Sequence, residues 1–260
     1  MEKKFLSLAH KLADISGTIS LAGFRNEIAV ENKSKTGFDP VTEIDRACEQ
    51  AMRKEIERAF PEHGIIGEEK GAANRQNEYC WLLDPIDGTR SYITGNPLWG
   101  TLIGLYHKGK PLLGMMDNPF ISERFWSEAG KSYWQKEGKK QPISTSSEQE
   151  LSNARLASTA METFTAEEAP AFQALQSKTR LTRFGGDCYN YCLLASGSLD
   201  LVVEAGLHDY DIAALIKIIE NAGGTITTWE GHPAYGGGRV IAAANRQLAE
   251  TARGVLVNGT

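Results

Sequence analysis

The chain has 260 residues, of which 41% are hydrophobic and 23% are charged. This length and composition suit one large globular domain or two closely packed ones, and they argue against a disordered or membrane-spanning chain. The formal net charge of -5 argues against a surface that coats nucleic acid, so we expect no nucleic-acid partner.

The cysteines and the N-terminus together predict a cytoplasmic protein without a membrane partner. The four cysteines form neither a C-x-x-C pair nor the regular framework of a small secreted domain, which predicts reduced and mostly buried thiols. Polar residues interrupt the apolar positions that follow Met1. We therefore expect an amphipathic helix there rather than an export signal.

Two amphipathic helices are predicted in the first sixty residues. Apolar residues recur at three- and four-residue steps from Phe5 to Ile19, which predicts a helix with one buried face that ends near Gly23. A second helix is predicted to begin after Thr42 and to end before Pro61. The polar, glycine-containing segment 32–39 between them is predicted to be a loop.

The segment Trp81–Thr89 is the most informative part of the sequence. A short apolar run stops at Asp84, and Asp87 precedes a glycine turn three residues later. This pattern predicts a buried strand that delivers two carboxylates to the edge of a sheet. Gly88 and Thr89 would begin a helix, where free backbone N–H groups can bind an anion.

The predicted secondary structure changes near residue 150, from successive strands to alternating strands and helices. Residues 100–134 are strand patterns separated by glycine and lysine turns, which predicts an antiparallel meander. From Leu151 onward, strands and helices alternate, with residues 212–221 as a buried helix and 225–229 and 240–243 as closing strands. We therefore predict the α+β class, with helices and two sheets in layers.

Acidic residues stand at the edge of apolar elements at several distant places in the sequence. They are Asp45, Glu68, Asp84, Asp87 and Asp211. If the fold brings them together, two unit charges about 4 Å apart repel by roughly 4 kcal/mol at an effective dielectric near 20. Such a cluster needs bound cations, and oxygen ligands without histidine favour magnesium over zinc.

Each of these acids also has a purely structural interpretation. Asp45 follows Thr42 by three residues, as in a helix capping box, and Asp211 could cap the helix that follows it. Taken singly, these interpretations are the simpler ones. The joint spacing favours a site, because independent caps have no reason to recur at the ends of apolar strands.

Three sequence blocks match a known family. Gly67–Glu69, Trp81–Thr89 and Tyr210–Ala213 resemble, in order, the signatures of the magnesium-dependent, lithium-sensitive phosphatases of the inositol monophosphatase superfamily. The resemblance implies a layered α-β-α-β-α sandwich of the inositol monophosphatase and fructose-1,6-bisphosphatase type, and a homodimer. Residues 1–150 would form an α+β half with the antiparallel sheet and most metal ligands, and residues 151–260 an α/β half that completes the site.

Within the superfamily, the chain is more similar to the histidinol-phosphate phosphatases of histidine biosynthesis. Segments 38–46, 87–95, 99–105 and 185–189 carry this likeness. Inositol phosphatases usually resemble Gly-Thr-Thr-Asn-Phe after the second aspartate, where this chain continues with Arg90 after Thr89, and they have tryptophan at the place of Tyr210. The implied substrate is a small phosphomonoester, histidinol phosphate.

The resemblance also assigns metal ligands. Glu68, Asp84 and the carbonyl of Ile86 would hold a first Mg²⁺, and Asp84, Asp87 and Asp211 a second, with Asp84 bridging the two. A weaker third ion beside Glu68 could assist. The implied cofactor is therefore two or three Mg²⁺ ions per site, acting in an in-line phosphoryl displacement.

The remaining roles concern catalysis and substrate binding. Asp45, hydrogen-bonded to the Thr89 hydroxyl, would orient and deprotonate the attacking water, with Glu68 as the further catalytic residue. A lysine near the first loop is also implied, and Lys33 and Lys35 both stay open for it. The positions implied to contact substrate are Gly88, Thr89, Arg90, Asp187 and Glu204. For Arg90, a contact with the partner subunit stays equally open. Asp187 could instead cap the helix that follows it, and Glu204 could be a charge at the end of a strand.

Three alternatives remain open from the sequence. An inositol-1-phosphate phosphatase or an adenosine 3′,5′-bisphosphate 3′-phosphatase would use the same metals with a different alcohol pocket. A regulatory binding protein could keep the fold without the chemistry. The complete set of acids in this sequence disfavours that last alternative.

Overall fold

The structure is a computed structural model and describes residues 2–26, 30–32 and 40–258. Its helices are α1 (Glu2–Gly23), α2 (Glu43–Ala59), α3 (Thr89–Ile93), α4 (Glu168–Gln176), α5 (Asp187–Ala195), α6 (Asp209–Asn221) and α7 (Arg246–Asn258). Its strands are β1 (Val30–Asn32), β2 (Pro40–Thr42), β3 (Gly64–Gly67), β4 (Gly71–Ala73), β5 (Tyr79–Asp87), β6 (Gly100–His107), β7 (Lys110–Asn118), β8 (Glu123–Glu128), β9 (Lys131–Lys136), β10 (Lys139–Ile143), β11 (Arg155–Ser158), β12 (Leu181–Phe184), β13 (Leu201–Leu207), β14 (Thr225–Thr228) and β15 (Gly238–Ala243). Across these ranges, we find no helix with the length and apolar character needed to cross a bilayer.

Two main sheets and three pairs of helices stack in layers. The larger sheet has the order β10-β9-β8-β7-β6-β5-β3-β4, and the smaller one has the order β12-β11-β13-β15-β14. Helices α1 and α2 cover the outer face of the larger sheet, α5 and α6 lie between the sheets, and α4 and α7 cover the outer face of the smaller sheet. This arrangement confirms the predicted α-β-α-β-α sandwich.

Strand β5 is buried on both faces. Trp81 packs with Ile103 against α1 and α2, whereas Leu82 packs against Ala213 of α6. Because side chains alternate along a strand, the apolar run of β5 supplies two cores at once. The end of this strand is therefore a fixed position between two packed layers.

Helix α6 lies directly on the larger sheet because two strand glycines leave room for its backbone. A Cβ atom on Gly114 would lie 1.8 Å from the carbonyl oxygen of Ala214, and one on Gly104 would lie 2.8 Å from the Cβ of Ala213. The strands of the larger sheet all precede residue 150, yet α6 follows it. The halves predicted at 1–150 and 151–260 therefore share this buried helical layer.

Some elements differ from the sequence prediction. The described chain ends in helix α7 and not in a strand, because Asn245 caps this helix by accepting a hydrogen bond from the backbone N of Leu248 at 3.0 Å. The short strands β1, β2 and β4 were not expected, since runs of three residues carry no clear period. Lys33 and Lys35 lie outside the described residues. All four cysteines are buried and unpaired, as expected.

The close approach of α6 gives a stability prediction. Gly114→Ala is expected to lower the free energy of unfolding by about 1–3 kcal/mol, because the added methyl group forces α6 away from the sheet. Chemical denaturation measures the change. Gly236→Ala is the matched control, since a Cβ there meets no atom within 4 Å. Equal stability of the two variants would contradict this packing.

Candidate active site

An irregularity at the end of β5 turns two acidic side chains to the same side. Asp84 pairs with Leu102 of β6 and Asp87 pairs with Gly100, so three steps along β5 face two along β6. On a regular strand, residues three apart point to opposite faces. The additional residue of this β-bulge reverses the alternation, which brings Asp87 to the face that Asp84 occupies.

The first turn of α6 brings a third carboxylate to this place. Carboxylate oxygens of Asp84, Asp87 and Asp211 all lie within 4.8 Å of one another. Asp211 also accepts a hydrogen bond from the backbone N of His208 at 2.7 Å, so it caps its helix as well. Glu68, in the turn after β3, lies against Asp84. The fold thus gathers the four acidic side chains that the sequence assigned to a metal.

Burial makes these carboxyl groups difficult to ionise without a cation. Burial first, and neighbouring negative charges second, raise the pKa of Asp84 and of Asp87 well above the usual value for aspartate. Burial and the charge of Glu68 raise the pKa of Asp211 to about 8. A divalent cation would replace the protons that these groups otherwise retain, so the donor set fits a hard cation.

The cluster opens into a cavity of about 210 Å³. Its lining includes the predicted phosphate-binding residues Gly88 and Thr89 and also Ile86. No lysine or arginine of the described chain lines it. Its acidic lining residues are Glu68, Asp84, Asp87, Asp187, Glu204 and Asp211.

Asp45 is buried at the start of α2, but its predicted bond to Thr89 is not formed. Oδ2 of Asp45 accepts hydrogen bonds from the backbone N of Thr42 at 2.9 Å and from the Thr42 hydroxyl, in a capping box. The Thr89 hydroxyl instead donates to the carbonyl of Ile86 at 3.0 Å. Oδ1 of Asp45 has no partner in the described chain. Burial raises the pKa of Asp45 to about 6.

Asp187 lies against the phosphate turn at the first residue of α5. Its φ angle is 44°, and the preceding Gly186 occupies the N-cap position without a side-chain cap. The Ser91 hydroxyl donates to Asp187 at 3.0 Å, and a Cβ on Gly88 would lie 2.9 Å from the Asp187 carboxylate. Asp187 is therefore directed into the site and does not cap α5, and burial raises its pKa to about 6.

Glu204 is held in β13 by partners from two other elements. It accepts hydrogen bonds from the backbone N of Thr159 at 3.0 Å, from the Thr159 hydroxyl, and from the Tyr191 hydroxyl at 2.8 Å. Burial raises the pKa of Glu204 to about 7 although these donors oppose the shift. Sequence reasoning missed Thr159 and Tyr191, since nothing in their local sequence indicates a partner 45 or 13 residues away.

Arg90 lies at the surface but near the site, since its positive charge opposes the burial that raises the pKa of Asp187. Its side chain is 52% exposed, and its guanidinium lies 3.4 Å from the carboxylate of Glu162. Helix α3 has a single turn that buries Ser91 and Tyr92, so Arg90 is directed to the surface. The contact of Arg90 with substrate or with a partner subunit therefore stays a prediction.

Comparison with known proteins agrees with this fold. The sequence model of the inositol monophosphatase family matches residues 1–258. The bifunctional phosphatase IMPL2, chloroplastic, of Arabidopsis thaliana is 43% identical over 88% of this chain, which spans 65% of that relative's length. A histidinol-phosphatase of Chlorobaculum parvum is 33% identical over 98% of this chain and 97% of its own. A solved inositol monophosphatase from Zymomonas mobilis has a TM-score of 0.86 and 40% identity, with 98% of each chain covered. The chain therefore belongs to the inositol monophosphatase family.

Proposed function

We propose that this phosphatase of the inositol monophosphatase family is a Mg²⁺-dependent phosphomonoesterase that hydrolyses histidinol phosphate. The convergence of Asp84, Asp87 and Asp211 at a cavity that Asp187 and Glu204 also line carries the proposal. A phosphate dianion requires cations beside it. The ammonium and imidazole of the alcohol require acidic partners. Once metal is bound, the cavity would offer cations for the phosphate and carboxylates for the alcohol.

Mg²⁺ fits the carboxylate cluster because this ion prefers oxygen ligands. Glu68, Asp84, Asp87, Asp211 and the carbonyl of Ile86 would hold the ions. Mg²⁺ held by these residues would supply a coordinated water of lowered pKa and a positive charge beside the leaving alkoxide. A third ion beside Glu68 remains part of the proposal.

Asp45 is proposed as the general base for the attacking water. Its Oδ1 atom is buried without a partner, and a pKa of about 6 leaves the group ionised and able to accept a proton near neutral pH. The Thr89 hydroxyl would have to leave the Ile86 carbonyl to join Asp45. Such a rearrangement is compatible with Ile86 turning its carbonyl to a metal.

The phosphate is proposed to bind at the start of α3. Gly88 has a φ angle of 82°, which glycine adopts without strain, and it lies against Asp187 with no room for a side chain. The backbone N–H groups of Gly88 and Thr89 would donate to phosphate oxygens. Close approach of this turn to the ligand therefore depends on glycine.

Asp187 and Glu204 are proposed to bind the cationic alcohol. Asp187 is partly buried and Glu204 is buried, and their pKa values are raised to about 6 and about 7. A substrate ammonium or imidazolium would favour their ionised forms, because opposite charges lower the pKa of an acid. A neutral polyol would not offer this stabilisation.

Inositol 1-phosphate is the second candidate substrate. The Zymomonas mobilis protein of 40% identity is an inositol monophosphatase, and the Tyr191, Thr159 and Glu204 network could hydrogen-bond hydroxyl groups. Adenosine 3′,5′-bisphosphate is disfavoured, since the described cavity lining lacks a basic residue for a second phosphate. A purely regulatory role is disfavoured by the intact acidic cluster.

The homodimer, the cytoplasmic location and the role in histidine biosynthesis remain proposals that follow from family resemblance. Light scattering on the purified chain tests the dimer directly. The buried, unpaired cysteines are compatible with the proposed cytoplasmic location, where thiols stay reduced.

A phosphate-release panel tests the substrate assignment. With Mg²⁺, we expect the highest kcat/KM for histidinol phosphate among histidinol phosphate, inositol 1-phosphate and adenosine 3′,5′-bisphosphate. Asp187→Asn should lower kcat/KM for histidinol phosphate by about 30-fold, the equivalent of about 2 kcal/mol for a buried charge pair. The same variant should change turnover of inositol 1-phosphate much less. A wild-type preference for either other ester would overturn the assignment.

The raised pKa values predict how metal and pH affect stability. Carboxyls whose pKa is higher in the folded than in the unfolded state bind protons preferentially when folded, so metal-free stability falls as pH rises through the folded pKa values, about 6 to 8. Mg²⁺ should offset this loss. We expect the difference in Tm between Mg²⁺ and EDTA to grow from about pH 5 to about pH 8.

Asp87→Asn is the control for the metal experiment. It removes one charge from the cluster, so the variant should be folded and at least as stable as wild type in EDTA near pH 8. Its Tm should respond little to Mg²⁺, and it should release no phosphate. Full activity, or a Tm increase with Mg²⁺ equal to that of wild type, would contradict the proposed ligand set.

A further inference from the structure

A buried ion pair on α2 lies next to the turn that carries Glu68. Glu49 is fully buried, and its Oε1 accepts a hydrogen bond from the Nε of Arg53, one helical turn later, at 2.6 Å. Isolating a carboxylate from water is costly unless several donors surround it. The remaining donors to Glu49 come from outside its own helix.

These donors are the backbone groups that follow Glu68. The N–H of Glu69 donates to Oε2 of Glu49 at 2.7 Å, and the N–H of Lys70 donates to Oε1 at 3.1 Å. Nη2 of Arg53 donates to the carbonyl of Gly71. The ion pair therefore binds two residues of the turn between β3 and β4 and the first residue of β4.

The residues before Glu68 are fixed as well. A Cβ on Gly67 would lie 2.3 Å from Oε1 of Glu49, so the carboxylate of Glu49 occupies the space that any other residue at 67 would need. The backbone N of Glu68 donates to the carbonyl of Leu83, the residue before Asp84, at 3.2 Å. The backbone of Glu68 is thus restrained from both sides.

We infer that Glu49 is a positioning residue that holds Glu68 at the proposed metal site. This inference rests on the proposed role of Glu68 as a ligand. Asp45 precedes Glu49 by one turn of α2, so one rigid helix sets the place of the proposed base and, through Glu49, of the Glu68 carboxylate. Residues that orient a metal ligand from outside the coordination sphere commonly contribute 10- to 100-fold, roughly, to metal affinity.

Glu49→Gln tests this role, because the amide keeps the volume but loses the charge and one acceptor oxygen. Calorimetric titration with Mg²⁺ alone should give a dissociation constant about 10- to 100-fold above that of wild type. Amide hydrogen exchange at Glu69 and Lys70 should also become faster in the metal-free protein. This second readout does not depend on turnover.

Asp200→Asn is the control, because Asp200 is also a buried carboxylate in an ion pair, with Arg155 at 2.7 Å, and does not line the cavity. It should lower Tm yet leave the Mg²⁺ dissociation constant within about twofold of wild type, as expected for a distant site. Arg53→Lys keeps the charge but loses the forked guanidinium donor, and it replaces Glu49→Gln if that variant does not fold. We expect the same changes in the Mg²⁺ dissociation constant and in amide hydrogen exchange.

The outcomes separate this inference from the proposed function. Failure of wild type to bind Mg²⁺ would overturn the proposed function and, with it, the role given to Glu49. A different result would overturn the positioning role alone. In it, wild type binds Mg²⁺ normally, Glu49→Gln or Arg53→Lys binds Mg²⁺ as tightly as Asp200→Asn does, and amide hydrogen exchange at Glu69 is unchanged.

Discussion

Mutual repulsion among Asp84, Asp87 and Asp211 is the constraint on which the rest of the site depends. Their oxygens lie within 4.8 Å of one another in a buried position, where burial alone already raises each pKa. Folding therefore has to impose a juxtaposition that electrostatics opposes. The packing of β5 and α6 supplies the free energy that holds the carboxylates together. Bound cations would make the same arrangement of carboxylates electrostatically favourable.

Each part of that packing can be traced to particular residues. Gly104 and Gly114 let α6 lie on the larger sheet, which brings Asp211 to the end of β5. The bulge between Asp84 and Asp87 turns both acids to the same face. The core on both sides of β5 fixes the position of this bulge. A site of like charges is thus built on a strand of the larger sheet that is buried on both faces, where the cost of the repulsion is spread over many contacts.

The sequence pattern predicted helices and two sheets in layers, because strand and helix periodicity are local, whereas the convergence of the acids was implied only by the resemblance to a known family. The apolar run before Asp84 and the glycine turn after Asp87 specify a strand end, whatever the distant partners are. Side-chain partners were harder to predict. Asp45 bonds to Thr42 and not to Thr89, and Arg90 is directed to the surface, because the orientation of a side chain is decided by tertiary packing.

Residues that support the site from a distance gave no signal at all. Tyr191 and Thr159 hold Glu204, and Glu49 binds the turn after Glu68, through contacts that only the assembled layers create. By contrast, Asp187 lines the cavity and has a φ angle of 44°, in the left-handed region that residues other than glycine rarely adopt. Strained backbone conformations of this kind are expected at functional sites, where the position of a side chain matters more than the local preference of the backbone.

The most direct test of the account is a crystal structure grown with Mn²⁺, whose anomalous scattering locates the ion and whose oxygen preference resembles that of Mg²⁺. We predict an anomalous peak between the carboxylates of Asp84, Asp87 and Asp211. A well-ordered structure that resolves these three side chains and has no peak among them, or has Mn²⁺ bound only elsewhere, would contradict the claim that the fold assembles them to hold a divalent cation.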